Sequence, residues 1–117
     1  MDGLDELAGR RCEACRADAP LLTPQQLNEW LPQLPQWQLI EVAGVQQLSR
    51  VYRCKGFVGA MALAEKVTAL AEQENHHPSL LVEWGKLTVT WWTHKINGLH
   101  ENDLVMAART ERLFVTL

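Results

Sequence analysis

Three of the four histidines of the chain form a set: an adjacent pair, His76 and His77, and a third, His94. Histidine both donates and accepts protons near neutral pH. Two imidazoles on opposite sides of a small substrate could therefore act as general acid and general base. Two carboxylates flank the set, since Glu72 lies one helical turn before His76 and Asp103 lies in the first turn of a predicted helix. A carboxylate can orient an imidazole and fix its tautomer, so we expect both carboxylates to support the histidines.

Two other interpretations of the histidines stay open. In the first, His76 and His77 only cap the end of a helix and His94 only ends a strand. In the second, the three imidazoles hold zinc, which often has three protein ligands. Adjacent residues usually point in different directions, and no H-x-x-x-H pair places two ligands on one helix face. We therefore predict no metal.

Three tryptophans cluster beside His94 in the sequence: Trp84, Trp91 and Trp92. Packing in the core is the simple explanation for Trp84 and Trp91. Trp92 lies two residues from His94 on the same face of a predicted strand. Its indole could form the wall of a site for a flat heterocycle, or it could pack in a dimer contact.

The cysteines point to no certain chemistry. Cys12 and Cys15 form a C-x-x-C, which can be half of a zinc site or a redox pair. A structural zinc site needs four ligands, and the chain has no second C-x-x-C. We favour an incidental pair and keep a metal or redox role as the alternative. Cys54 is predicted to be a small buried apolar group.

Size and composition indicate one globular domain of 117 residues, with 47% hydrophobic residues. The net charge of -3 and the lack of a dense basic patch disfavour direct binding of nucleic acid. No apolar run is long enough to span a membrane. The first residues lack the apolar segment of a secretory signal, so we expect a cytoplasmic protein without a disulfide framework.

Apolar periodicity predicts the order helix, hairpin, helix, hairpin, helix. Two hairpins imply antiparallel pairing, so the predicted class is α+β, with one four-stranded antiparallel sheet and helices packed on one face. We expect residues 1–22 to be a loosely structured leader and residues 23–117 to be the domain. The predicted elements are a helix from Pro24 that stops before Pro32, strands over 37–42 and 45–53, a helix over 57–74, strands over 80–84 and 87–94, and a helix over 101–114.

Spacing within these elements predicts which side chains face the core. The long helix has an apolar stripe formed by Phe57, Met61, Ala64, Val67 and Ala71, widened by Leu63 and Leu70. The last strand alternates, with Leu87, Val89 and Trp91 on one face and Thr88, Thr90, Trp92 and His94 on the other.

The order of motifs between Glu72 and Asp103 resembles the pterin-4a-carbinolamine dehydratase family. The motifs are E-x-x-x-H-H-P, then the T-H at the end of a strand, then G-L-x-x-x-D at the start of a helix. E-x-x-x-H-H-P alone would be weak, but the three in this order are specific. The similarity covers roughly Thr23 to Arg112 and is greatest to the bacterial members that accompany phenylalanine hydroxylase.

The resemblance implies a four-stranded antiparallel sheet covered by helices. It also implies dehydration of 4a-hydroxytetrahydropterin to quinonoid dihydropterin, with the pterin as substrate and no cofactor. The implied site consists of catalytic His76, His77 and His94, supporting carboxylates Glu72 and Asp103, and Thr93 in the segment whose backbone contacts the pterin. We expect the acid and base to be His76 and His94, with His77 assisting.

The resemblance further implies a homodimer or homotetramer and a functional link to phenylalanine hydroxylase. One alternative is a dimerisation cofactor that regulates transcription or hydroxylase expression. Another is a pterin protein of a different pathway, such as molybdopterin metabolism. Two positions depart from the family pattern. Leu80 stands where an aromatic is common, and His100 replaces a small capping residue, which could weaken the cap.

Overall fold

The structure is a computed structural model that describes residues 8–9 and 21–115. Its elements follow the predicted order and confirm the α+β class. The predicted leader falls for the most part outside the described residues, and so does the C-x-x-C of Cys12 and Cys15. The elements are α1 (Pro24–Trp30), a 3-10 turn (Leu31–Gln33), β1 (Gln38–Val42), β2 (Val45–Arg53), α2 (Gly56–Glu74), β3 (Ser79–Glu83), β4 (Lys86–Trp91), a 3-10 turn (His94–Ile96) and α3 (Glu101–Val115).

The four strands form one antiparallel sheet in the order β1-β2-β4-β3. Each hairpin pairs its own two strands, and β2 pairs with β4 to join the hairpins. In the central pair, Leu48 lies opposite Trp91 and Tyr52 lies opposite Leu87. Directly opposite residues project to the same face, so this register assembles one apolar face from both hairpins.

Helices α1, α2 and α3 contribute to a core on that face of the sheet. Both α2 and α3 pack against the strands and against each other, and α1 adds Leu27. The predicted inward residues of β4 are confirmed, because Leu87, Val89 and Trp91 are fully buried. On the opposite face the hydroxyls of Ser49 and Thr90 are hydrogen-bonded at 3.0 Å. The helices therefore lie on one side of the sheet, as the sequence predicts.

The apolar stripe of α2 is shifted from the predicted one. The buried residues are Ala60, Leu63, Ala64, Val67 and Ala71. Phe57 and Met61 were predicted to be buried but are 49% and 40% exposed. The first turn of α2 lies at the β3–β4 turn, where the Gly85 N–H donates to the Gly56 carbonyl at 3.2 Å. The first turn is therefore at the end of the sheet, and the strands leave Phe57 uncovered.

Trp84 was also predicted in the core, and this prediction is wrong, since the side chain is 78% exposed. It follows the last residue of β3 and precedes Gly85, whose positive φ of 79° turns the chain into β4. A side chain in a hairpin turn lies beyond the ends of the paired strands, so the sheet does not cover it. Trp84 consequently lies near Gly56 at the surface instead of among the core side chains.

Strand β4 ends at Trp91, three residues before the predicted end at His94. The backbone of Thr93 pairs with Gly98 instead of continuing the sheet, with N···O distances of 2.8 and 3.4 Å. His94 therefore begins the 3-10 turn and is not part of a strand. This local bridge closes a loop that carries His94 at its start.

A partly buried polar group, which we call the Glu111 cluster, joins the far end of α3 to the sheet. The Glu111 carboxylate accepts hydrogen bonds from the Trp37 indole at 2.8 Å and the Tyr52 hydroxyl at 2.6 Å. It also pairs with Arg50, whose guanidinium lies 4.2 Å from the centre of the Tyr52 ring. α3 thus runs from the loop after His94 to this cluster.

Candidate functional site

Asp103 is the centre of the candidate site and is fully buried. Its Oδ1 lies 2.6 Å from Nε2 of His76. Its Oδ2 accepts the Thr93 hydroxyl at 2.8 Å and the His100 backbone N–H at 2.9 Å. A carboxylate accepts only, so the neutral His76 ring in this arrangement carries its hydrogen on Nε2. The structure thus contains the contact between Asp103 and a histidine that this expectation requires.

His76 enters the core because α2 ends just before it. Asn75 takes the left-handed conformation at φ 51°, and the His76 N–H returns to the Ala71 carbonyl at 3.1 Å. The ring is 3% exposed and is parallel to the Trp91 indole, with centroids 5.6 Å apart and planes at 9°. The sequence predicts Trp91 only as a core residue, but its indole also contacts His76. The pairing of its strand with the strand that follows the histidines could have indicated this contact.

His77 points the other way and pairs with Glu72. Their Nε2 and Oε2 atoms lie 2.5 Å apart, and the two side chains are 53% and 69% exposed. Glu72 lies one helical turn before His76, yet it pairs with the residue after that histidine, His77. The left-handed Asn75 breaks the helical spacing and turns His76 inward, which leaves His77 near the last turn of α2.

The segments that carry the histidines run side by side. The pairing of β3 with β4 ends with Ser79 opposite Thr90. The same antiparallel register, continued two and three residues beyond this pair, would place His77 beside Trp92 and His76 beside Thr93. The shared hydrogen bonds to Asp103 agree with this placement, since His76 and Thr93 both contact its carboxylate. The pairing of β3 with β4 is therefore what brings distant parts of the sequence into one site.

His94 lies at the surface and stacks on Trp92. Their ring centroids are 4.4 Å apart and the planes are within 5° of parallel. One face of the Trp92 indole, which we predicted as a wall for a heterocycle, is thus covered by the imidazole. The candidate site has a buried part, formed by His76, Thr93 and Asp103, and an exposed part of two pairs, His77 with Glu72 and His94 with the half-buried Trp92.

His100, where we expect a weaker cap of α3, does make a capping contact. The Nδ1 atom of His100 accepts the backbone N–H of Asn102 at 3.0 Å, so the imidazole does the work of a capping side chain. His100 is buried, with 8% of its surface exposed, and its backbone N–H donates to Oδ2 of Asp103. Sequence reasoning missed this residue as a neighbour of the site; its position directly before the helix was the available signal. Leu80, the other departure, packs half-buried against the core.

Among residues 8–9 and 21–115, no group of three or more His, Cys, Asp or Glu side chains has an arrangement that could hold a metal ion. Within that same part of the chain, no helix has the length and apolar character needed to cross a membrane.

Comparisons with known proteins identify the same family as the motifs between Glu72 and Asp103. The model of the family "Pterin 4 alpha carbinolamine dehydratase" matches residues 20–113. Two relatives carry the name "Putative pterin-4-alpha-carbinolamine dehydratase". The one from Marinobacter nauticus is 52% identical over 95% of this chain and 100% of its own length. The one from Syntrophotalea carbinolica is 48% identical over 94% and 98%.

A solved structure is also similar. The crystal structure of a transcriptional coactivator/pterin dehydratase from Brucella melitensis has a TM-score of 0.72 and 31% sequence identity, covering 80% of this chain and 98% of its own. The matched family segment includes both hairpins, α2 and the whole candidate site. The chain belongs to the pterin 4 alpha carbinolamine dehydratase family.

Proposed function

We propose that the chain is a hydro-lyase that converts 4a-hydroxytetrahydropterin to quinonoid dihydropterin and water. Family membership supports the reaction class. The single observation on which the proposed catalysis rests is the buried contact of 2.6 Å between His76 Nε2 and Asp103 Oδ1. An imidazole held in this way by a buried carboxylate is typical of sites that move protons.

The reaction needs one proton donor and one proton acceptor. The bond between C4a and its hydroxyl oxygen breaks, and an acid protonates the oxygen so that water leaves. A base removes the proton of N5, and the electron pair of that N–H bond forms the double bond between N5 and C4a. Atoms and electrons balance with the pterin as substrate and with no further cofactor. Each acid or base role contributes about 10²–10⁴-fold to the rate.

We assign the acid and base to His76 and His94, with His77 as the assisting group. His76 has its ring fixed by Asp103 and Trp91, whereas His94 has its ring fixed by Trp92. His77 with Glu72 forms a solvent-exposed pair that could hold or relay a proton. The substrate is proposed to lie between His76 and His94, where the buried and exposed parts of the site meet, against Trp92 and the backbone of Thr93.

The test compares the wild type with His76→Ala and His94→Ala in the dehydration of freshly generated 4a-hydroxytetrahydropterin, followed by ultraviolet absorbance. We expect the wild type to exceed the spontaneous rate and each variant to lose at least about tenfold. Gln73→Ala, an exposed change on the last turn of α2, is the control variant. A wild type that does not accelerate the reaction would overturn the function, and a folded His94→Ala with the wild-type rate would overturn the assignment.

The proposal extends to the biological setting. We propose that the reaction recycles the pterin cofactor of an aromatic amino-acid hydroxylase, in functional association with phenylalanine hydroxylase, in the cytoplasm. A coupled assay checks this, since a hydroxylase with limiting pterin should turn over longer when the chain is added.

We also propose a homodimer or homotetramer, and gel filtration that shows a monomer at micromolar concentration would contradict it. The binding-module alternative has no observation of its own in the described residues, so we do not propose it.

A further inference from the structure

Thr93 connects the two parts of the candidate site. It is 1% exposed, and its hydroxyl donates to Oδ2 of Asp103 at 2.8 Å. Oδ1 of the same carboxylate contacts His76. Thr93 also precedes His94 directly in the chain. One residue is thus attached to the buried histidine through its side chain and to the exposed histidine through its backbone.

The hydroxyl determines how the Asp103 carboxylate is oriented. Two donors, the Thr93 hydroxyl and the His100 N–H, hold Oδ2, so Oδ1 is the oxygen that faces His76. Removal of the hydroxyl leaves Oδ2 with one donor in a buried position. The carboxylate can then rotate toward other donors, and His76 loses the fixed contact that keeps its hydrogen on Nε2.

The backbone of Thr93 holds the loop of His94. Its N–H donates to the Gly98 carbonyl at 2.8 Å, and its carbonyl accepts the Gly98 N–H at 3.4 Å and the Ile96 N–H at 3.3 Å. These contacts close the 3-10 turn on which His94 stands. A hydroxyl fixed on Asp103 therefore also fixes where this turn begins relative to the buried part of the site.

We propose that Thr93 is a positioning residue whose hydroxyl, through Asp103, fixes the tautomer and orientation of His76 and holds the turn that carries His94. The proposal rests on the proposed function, because it assigns the residue to the same reaction. It differs from the expectation drawn from the family resemblance, which involves only the backbone around Thr93. The hydroxyl acts through other groups and does not itself exchange a proton with the substrate.

The experiment compares Thr93→Val, Thr93→Ala and Thr93→Ser with the wild type in two measurements. The first is the pH dependence of kcat and KM for 4a-hydroxytetrahydropterin. The second is nitrogen-15 NMR of the histidine side chains, which reports the tautomer of His76 whether or not the chain is active. Thr90→Val is the matched control, because it removes another largely buried hydroxyl of the same segment, one bonded to Ser49 on the outer face of the sheet.

We expect Thr93→Val and Thr93→Ala to lower kcat at least about tenfold with little change in KM, and to mix the tautomers of His76. Thr93→Ser should restore both, and Thr90→Val should keep both. Thr93→Ala keeps the test valid if the valine variant does not fold, because it adds no methyl group at the position of the hydroxyl.

Two results would overturn the proposal. One is a folded Thr93→Ala with wild-type kcat, pH profile and His76 tautomer. The other is Thr93→Ser as impaired as Thr93→Ala, which would assign the effect to packing of the methyl group. An inactive wild type would instead overturn the proposed function, and the NMR comparison would still decide whether Thr93 positions His76.

Discussion

At the scale of single residues, the two carboxylates of the site differ in burial. Asp103 is fully buried and holds His76, while Glu72 is 69% exposed and pairs with His77. Burial makes hydrogen bonds stronger and makes the loss of a partner more costly. Loss of Asp103 should therefore lower stability and activity far more than loss of Glu72, although both residues are carboxylates that flank the histidines in the sequence.

We predict that Asp103→Asn damages both activity and stability. The amide keeps the size of the side chain but places a donor where the carboxylate accepted from Thr93 and His100 or contacted His76. One buried conflict of this kind costs about 1–3 kcal/mol of unfolding free energy, measurable by urea denaturation. The rate should fall at least about tenfold because the tautomer of His76 is no longer fixed. An asparagine variant with wild-type rate and stability would contradict this assignment.

We predict a much smaller effect for Glu72→Gln. The pair with His77 lies in solvent, where such contacts contribute about 0–1 kcal/mol. If the whole of that upper value were added to the activation free energy, the rate would fall about fivefold. The dehydration rate should therefore fall by no more than this, and the urea midpoint should stay close to that of the wild type. A loss as large as that of Asp103→Asn would show that the exposed pair transfers the proton itself.

At the scale of elements, the sequence predicts the order and most boundaries of the helices and strands. Periodicity is sufficient there, because each element buries one face against its neighbours. It fails where the sheet ends. The exposed Phe57 and Trp84 lie at the β3–β4 turn, and no strand covers them. His94 leaves the predicted strand because Thr93 pairs with Gly98, a local contact that carries no alternating pattern.

The members of the site follow from the sequence, but their pairing does not. Helical spacing relates Glu72 to His76, and the structure pairs it with His77 because Asn75 is left-handed. The bond between Asp103 and His76 joins residues 27 positions apart and depends on the strand register. Only the assembled sheet could reveal these contacts.

Helix α3 gives a test at the same scale. His100 supplies its cap through Nδ1, so we predict that His100→Ala lowers the unfolding free energy by about 1 kcal/mol. His100→Ser should recover most of this loss, because a serine oxygen is a good acceptor at this position. Urea denaturation of the two variants beside the wild type gives the comparison. Equal stability of the alanine variant and the wild type would show that the imidazole contributes no cap.

At the scale of the whole molecule, α3 links the buried contacts of Asp103 to the partly buried Glu111 cluster. Its first turn supplies Asp103 to the site, and its later turns supply Glu111, which contacts Trp37 and Tyr52. Between them the residues from Asn102 to Ala108 are buried. The cluster at one end thus helps to hold the helix whose other end orients His76, so its loss should lower the stability of the whole domain.

Alkaline pH tests this link, because Tyr52 is the one tyrosine of the chain. Burial, followed by the hydrogen bond to Glu111 and the negative charge of that carboxylate, raises the pKa of Tyr52 far above its ordinary value. The unfolded chain ionises this group near pH 10, whereas the folded chain keeps it protonated. Above that pH the unfolded state binds fewer protons, so the unfolding free energy falls by about 1.4 kcal/mol per pH unit.

We predict that the ultraviolet absorbance of tyrosinate rises only as the protein unfolds, and that the urea midpoint decreases above about pH 10. Tyr52→Phe should be less stable near neutral pH by about 1 kcal/mol, because it lacks the hydrogen bond to Glu111, but it should lose the part of the alkaline decrease due to tyrosine. Burial also raises the pKa of the Cys54 thiol, which acts in the same direction from lower pH, and Cys54→Ala separates the two. Tyrosinate absorbance that appears in the folded protein near pH 10 would show that the Glu111 cluster is open to solvent and does not hold α3.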